Sequence, residues 1–162
     1  MKLFAKLITS AFAGLLTFGA MATLAPAAYA DAPVSCTVVE IEATTSDAPS
    51  VGPELRPLEK KLKKPPFSSW NTFKQLGSHA VTLEIMKSNT LTLTHGRAGL
   101  LLREVTAGGQ KKTRISLAIT VDDADGKRKL DTKVAVDAGD YLVVGRSLKG
   151  NRGHLLAMNC KP

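Results

Sequence analysis

The stretch KTRISLAITVDDADGKRKLDTKVAVDAGDYLVVG at 112–145 admits few folds. Ile115, Leu117, Ile119 and Val121 recur at every second residue, with polar or small residues between them. A period of two buries one face of a strand and leaves the other in water, whereas a helix needs a period of 3.6. Asp125-Gly126 interrupts the run, and Leu130, Thr132, Val134 and Val136 then resume the alternation. Asp-Gly suits the positive-φ positions of a type I′ turn, so the stretch reads as a hairpin whose second apolar row pairs with its first.

The same pattern recurs along the chain. SCTVVEIEAT (35–44) places Val39 and Ile41 on one face and Glu40 and Glu42 on the other, which is a half-buried strand. From His79, Val81, Leu83 and Ile85 alternate with Thr82 and Glu84. NTLTLTHG (89–96), AGLLLREVT (98–106, closed by Ala107-Gly108-Gly109), DYLVVG (140–145) and HLLAMNC (154–160) complete the set. The last two are joined by RSLKGNRG, where Gly150, Asn151 and Gly153 supply the turn. Phe67, Trp70 and Phe73 recur every three residues, which is no strand period. They fit a turn, or a single helical turn that tucks its rings beneath the sheet. About seven or eight strands spaced by ~10 residues predict an antiparallel β-sandwich or flattened barrel. A parallel α/β fold would need helical patterns between the strands, and there are none.

One short N-terminal helix is expected in this mainly β fold. TSDAPSVGP (45–53) has the composition of a linker, and PELRPLEKKLKK (53–64) follows it. Leu55, Leu58 and Leu62 make one apolar stripe, and Pro53 stands where a first-turn proline is tolerated. Glu54 and Glu59 lie toward the start and Lys60, Lys61, Lys63 and Lys64 crowd the end, a polarity that complements a helix dipole. Pro65-Pro66 stops the helix. The lysines then serve the helix's own C-terminal carbonyls. The other reading makes them, with Arg56 and Lys74 nearby, an electrostatic patch for an anionic surface.

Residues 1–30 have the layout of a secretory signal peptide: Lys2 and Lys6, a largely apolar run from Ile8 to Leu24, and Ala28-Tyr29-Ala30 as a small-x-small cleavage site. An uncleaved anchor would need ~20 strongly apolar residues, and Thr9, Ser10, Gly14, Thr17 and Gly19 interrupt this run. Pro33-Val34-Ser35 before Cys36 does not suit lipoprotein processing. Cleavage after Ala30 leaves a single domain, 31–162, in the periplasm or outside the cell, and lowers the formal net charge from +8 to +6. The chain's two cysteines, Cys36 and Cys160, stand near the ends of that domain. In an oxidising compartment they predict one disulfide between neighbouring terminal strands. Without Cys-x-x-Cys spacing a redox pair is not indicated.

Sites of chemistry are scarce. His79, His95 and His154 are scattered, with no two at ligand spacing, so no metal is expected, and no cofactor motif is present. Asp122, Asp123 and Asp125 before Gly126 are reminiscent of a calcium loop, but Lys127, Arg128 and Lys129 follow at once and would repel a cation. No Gly-x-Ser-x-Gly surrounds Ser78-His79. A small hydrolase would need two acids in a cleft, or His79 paired with an acid. A nucleic-acid binder would need Trp70 or Phe73 exposed beside the lysines, and Lys74 alone does not make such a platform.

LDTKVAVDAGDYLVVG followed by a Gly-containing loop and a final apolar strand, with PPFSSWNTFKQL placed before a β-rich body, resembles small exported β-sandwich proteins of bacterial envelopes over about residues 53–160. The pattern T-x-V-x-V-x-x-G-x-x-L-V-V-G is also similar to a strand pair of outer-membrane secretins, but the body of a secretin is missing. The resemblance implies an exported, non-enzymatic module that binds a partner protein or an envelope component. Binding of an anionic polymer (acidic polysaccharide, lipid headgroups or, less favoured, nucleic acid) is the alternative, and a small secreted hydrolase the third.

Overall fold

A computed structural model describes residues 33–107 and 112–162. The expected signal peptide and cleavage site (1–30), and Gly108-Gly109 of the turn after AGLLLREVT, lie outside the described residues. No helix among the described residues is long and apolar enough to cross a membrane.

Among the described residues nine strands form two sheets: β1 (Val34–Thr44), β2 (Ser50–Val51), β3 (Thr72–Leu83), β4 (Ser88–Leu93), β5 (Gly96–Thr106), β6 (Arg114–Asp122), β7 (Arg128–Asp137), β8 (Tyr141–Leu148) and β9 (Arg152–Lys161). One sheet has the order β2-β3-β1-β9-β8 and the other β4-β5-β6-β7. The fold is a sandwich, antiparallel except for the short β2–β3 pair. The strand beyond the expected seven or eight is β2, two residues of the 45–53 linker that lie parallel to Thr72 and Phe73.

The hairpin read from 112–145 forms, and its two core-facing rows pair. Ile115 faces Val136, Leu117 faces Val134, Ile119 faces Thr132 and Val121 faces Leu130. Its tip departs from a type I′ turn. Only Gly126 has positive φ (78°) there, and the Asp123 carbonyl accepts from Gly126 N–H at 3.0 Å. Asp123 Oδ1 accepts from the N–H groups of Asp125 and Lys127 at 3.1 and 2.8 Å, so the aspartate builds a longer loop around itself. Lys129 pairs with Asp123 at 3.1 Å and Arg128 with Asp122 at 2.5 Å, the mixed charge that the sequence placed at this tip.

Two apolar cores result. Val34, Cys36 and Val38 of β1, with Leu156, Met158 and Cys160 of β9, pack between the sheets against Leu100, Leu102, Leu117 and Ile119. The alternate residues, Ile41, Ala43, Leu155 and Ala157, face the other way and join Leu55, Leu58, Leu62 and Phe73. The five-stranded sheet is thus covered on both faces, by its partner sheet and by the 53–62 segment. Cys36 and Cys160 stand opposite each other in the β1–β9 register and form the disulfide, across 124 residues.

The helix is not N-terminal: it follows β1 and β2. Nor is it continuous. Pro53–Leu58 is a 3₁₀ segment and only Glu59–Leu62 is α-helical (α1). Pro57 lacks an N–H and its ring crowds the preceding turn, which favours the tighter coil before it. Leu55, Leu58 and Leu62 nevertheless bury as the stripe required.

Phe67–Ser69 forms one 3₁₀ turn, as the aromatic spacing suggested. Phe73 is buried, while Phe67 and Trp70 are half-buried against the second core. Trp70 Nε1 donates to the Asn151 carbonyl at 3.0 Å, and its ring lies over Gly153, where an added Cβ would come within 2.7 Å of the indole. Trp70→Phe keeps an aromatic ring but removes both the donor and the outer part of the indole that lies over Gly153. It should cost about 1–3 kcal/mol of unfolding free energy in chemical denaturation, with the β8–β9 turn exchanging amide protons faster.

Candidate functional site

The expected cationic residues divide between two faces. Arg56, Lys60, Lys61, Lys63 and Lys64 are all exposed, on the side of the 53–64 segment away from its buried leucines. Lys74 is exposed too but is not part of this group. It follows Phe73, whose ring enters the helix-covered core, so alternation turns Lys74 toward the opposite face, where it stands opposite Glu42 in the register.

The lysines do not bond the helix's terminal carbonyls. The Glu59 carbonyl accepts instead from the Lys63 backbone N–H at 3.0 Å. Lys63 Nζ pairs with the Glu59 carboxylate at 2.6 Å and holds that acid below its ordinary pKa. Lys61 Nζ donates to the Tyr141 carbonyl and ties the segment to β8. Arg56, Lys60 and Lys64 have no ion-pair partner among the described residues. A single α-turn has too little dipole to call for four cations. Beside Lys64, Pro66, Phe67, Ser69 and Trp70 line a hollow of about 210 Å³ with Gly145, Arg146, Ser147 and Leu155.

A second cluster lies at one end of the sandwich, where the sequence suggested only scattered groups. Glu40 does not face solvent. It is 2 % exposed and bonds His154 Nε2 at 2.6 Å, with the His154 side chain 1 % exposed. Glu40 also accepts from Thr94 N–H at 2.8 Å and from Thr94 Oγ1 at 3.0 Å. The His95 ring meets His154 edge-on with centroids 5.2 Å apart, and Arg146 Nη2 donates to the His95 carbonyl at 2.7 Å. His79 borders the cluster: a Cβ built on Gly77 would lie 3.6 Å from His79 Nε2 and 3.8 Å from Glu40 Oε2. Of the three histidines only His154 bonds the carboxylate: His95 meets His154, and His79 lies beside Gly77 at the edge of the cluster.

Burial is the largest influence on both partners and acts oppositely on them. It pushes the Glu40 carboxyl up, but the Thr94 and His154 hydrogen bonds outweigh it and hold that group below its ordinary range. It pushes His154 down, Arg146 and His95 add to the effect, and the opposing Glu40 charge does not restore the ordinary value. At neutral pH the pair is therefore a carboxylate accepting from a neutral imidazole. An imidazole oriented by a carboxylate is the pairing used for general-base work. At 1 % exposure no substrate reaches this one, and its effect is to clamp the Thr94–His95 turn of the four-stranded sheet onto β1 and β9. Among the described residues no cluster of His, Cys, Asp or Glu has the geometry to hold a metal ion. No family model, curated protein or solved structure matches this chain.

Proposed function

We propose that the protein is an exported, non-enzymatic binding module of the cell envelope, and that it docks on an anionic envelope component through Arg56, Lys60, Lys63 and Lys64. One observation carries the reading. The 53–64 segment spends its leucines on the sheet and leaves its cations on the outside, with Arg56, Lys60 and Lys64 unpaired among the described residues. The disulfide and the resemblance to exported envelope β-sandwiches support the compartment. Attraction of this kind is long-range and salt-sensitive, and it selects a charged surface over a particular sequence or sugar.

Binding of the oxidised protein to anionic liposomes and to heparin across a salt series tests this, beside a variant carrying Lys60→Ser, Lys63→Ser and Lys64→Ser, which leaves the Lys61 tie to β8 in place. The wild type should bind at low salt and release steeply as salt rises. The variant should bind roughly a hundredfold or more weakly, at ~1 kcal/mol per lysine near an anionic surface. Equal behaviour of the two proteins would overturn the reading and turn the search to a protein partner.

A further inference from the structure

Among the described residues β7 ends its sheet with no strand beyond it. The core-facing residues of β6, Ile115, Leu117, Ile119 and Val121, are fully buried, whereas those of β7, Leu130, Thr132, Val134 and Val136, are only half-buried. A ten-residue edge with unused backbone groups and half-covered apolar side chains is a template for a further strand.

The sequence of this edge selects its partner. Leu130-Asp131-Thr132-Lys133-Val134 has the same chemical character in both directions: apolar, acid, threonine, base, apolar. We infer that the β7 edge pairs antiparallel with β7 of a second copy, about a twofold axis through Thr132, to make one continuous eight-stranded sheet from two four-stranded ones. In that register Asp131 lies opposite Lys133 twice, Leu130 opposite Val134 twice, and Thr132 opposite itself. Lys129 then meets Ala135, and Arg128 meets Val136, so no like charges face each other.

Other registers lack this match. Side chains directly opposite must lie on the same face, which restricts the axis to a residue position. An axis at Asp131 sets Asp131 against itself and Lys129 against Lys133. One at Lys133 sets Lys133 against itself, and one at Val134 sets Asp131 against Asp137. An axis at Leu130 or at Ala135 opposes one lysine to one aspartate (Lys129 to Asp131, or Lys133 to Asp137) but engages only half of the strand. Nor do the other edges offer it: β4 has no charged residue, the single charge of β8, Arg146, is bonded to His95, and β3, which β2 covers only at Thr72 and Phe73, has no acid to oppose Lys74.

Sedimentation velocity of the oxidised protein over a concentration series reads the pairing. Asp131→Lys and Lys133→Asp lie on the solvent face, where Asp131 is 64 % exposed and its 3.2 Å pair with Arg128 is a surface contact of little net worth, so each variant should keep its thermal unfolding profile. Each places like charges opposite each other twice and should raise the dimer dissociation constant roughly tenfold or more. The double variant with both changes restores the match and should dimerise as the wild type does. An equimolar mixture of the two single variants should form heterodimers, because each supplies the charges that the other lacks. A wild type that stays monomeric up to ~1 mM, or a dimer indifferent to these substitutions, would overturn the proposal.

Discussion

Replacing Cys36 and Cys160 together by alanine should lower the unfolding free energy by about 4 kcal/mol. The size follows from position. The bridge spans 124 residues and joins the first strand to the last, so it closes almost the whole described chain into one loop. The oxidised unfolded chain has little freedom left to gain, whereas the alanine variant regains it on unfolding. In the native state β1 and β9 remain paired from Ser35 to Ala43, and the loss is felt mainly by the unfolded ensemble. Urea denaturation of both proteins at neutral pH is the measurement, with separate m values, because the opened chain exposes more surface. The midpoint should fall while the native circular dichroism stays unchanged. A loss below ~1 kcal/mol would mean that strand pairing alone holds the ends together in the unfolded ensemble as well.

The sequence carried those parts of the fold that depend on local period. All four core-facing pairs of the β6–β7 hairpin, three of them apolar on both sides, follow from alternation and one turn signal. The disulfide follows from two cysteines in terminal strands, and the buried leucines of 53–62 follow from their spacing. What failed depends on what lies across a sheet. Glu40 alternates with Val39 and Ile41, so it reads as the wet side of a half-buried strand. It is buried because the Thr94–His95 turn of the other sheet folds over it. A signal was available in β9, where Gly153-His154-Leu155-Leu156-Ala157-Met158 is buried at every residue and mostly apolar without alternation. Such a run marks a strand covered on both faces, and a histidine within it is inside. The patch failed differently. Lys60 to Lys64 hold together because they are local, while Lys74 is separated from them by the face change after Phe73.

Breaking the buried pair should be as costly as breaking the disulfide. Glu40→Ala leaves the His154 ring N–H, the Thr94 N–H and the Thr94 hydroxyl without their acceptor inside the sandwich, and at about 1–3 kcal/mol for each buried donor left unpaired should cost about 3–5 kcal/mol in all. Glu40→Gln keeps the shape and an acceptor for Thr94, and should cost less. The pair also sets the response to acid. His154 is held below its ordinary value near 6.5, so the unfolded chain takes up that proton first. Stability should therefore be level above about pH 7 and begin to fall as the pH drops through 6.5. Glu40 is held below its ordinary value near 4.5, so a second loss sets in there and continues until the native carboxylate is protonated. In Glu40→Gln the second loss should be smaller. The first should be larger, because no carboxylate then opposes the drop in the His154 pKa. Urea midpoints across pH, for wild type and both variants, separate these effects. A wild type whose stability rises as the pH falls through 6.5 would mean that His154 is charged in the native state and that a buried ion pair clamps the Thr94–His95 turn.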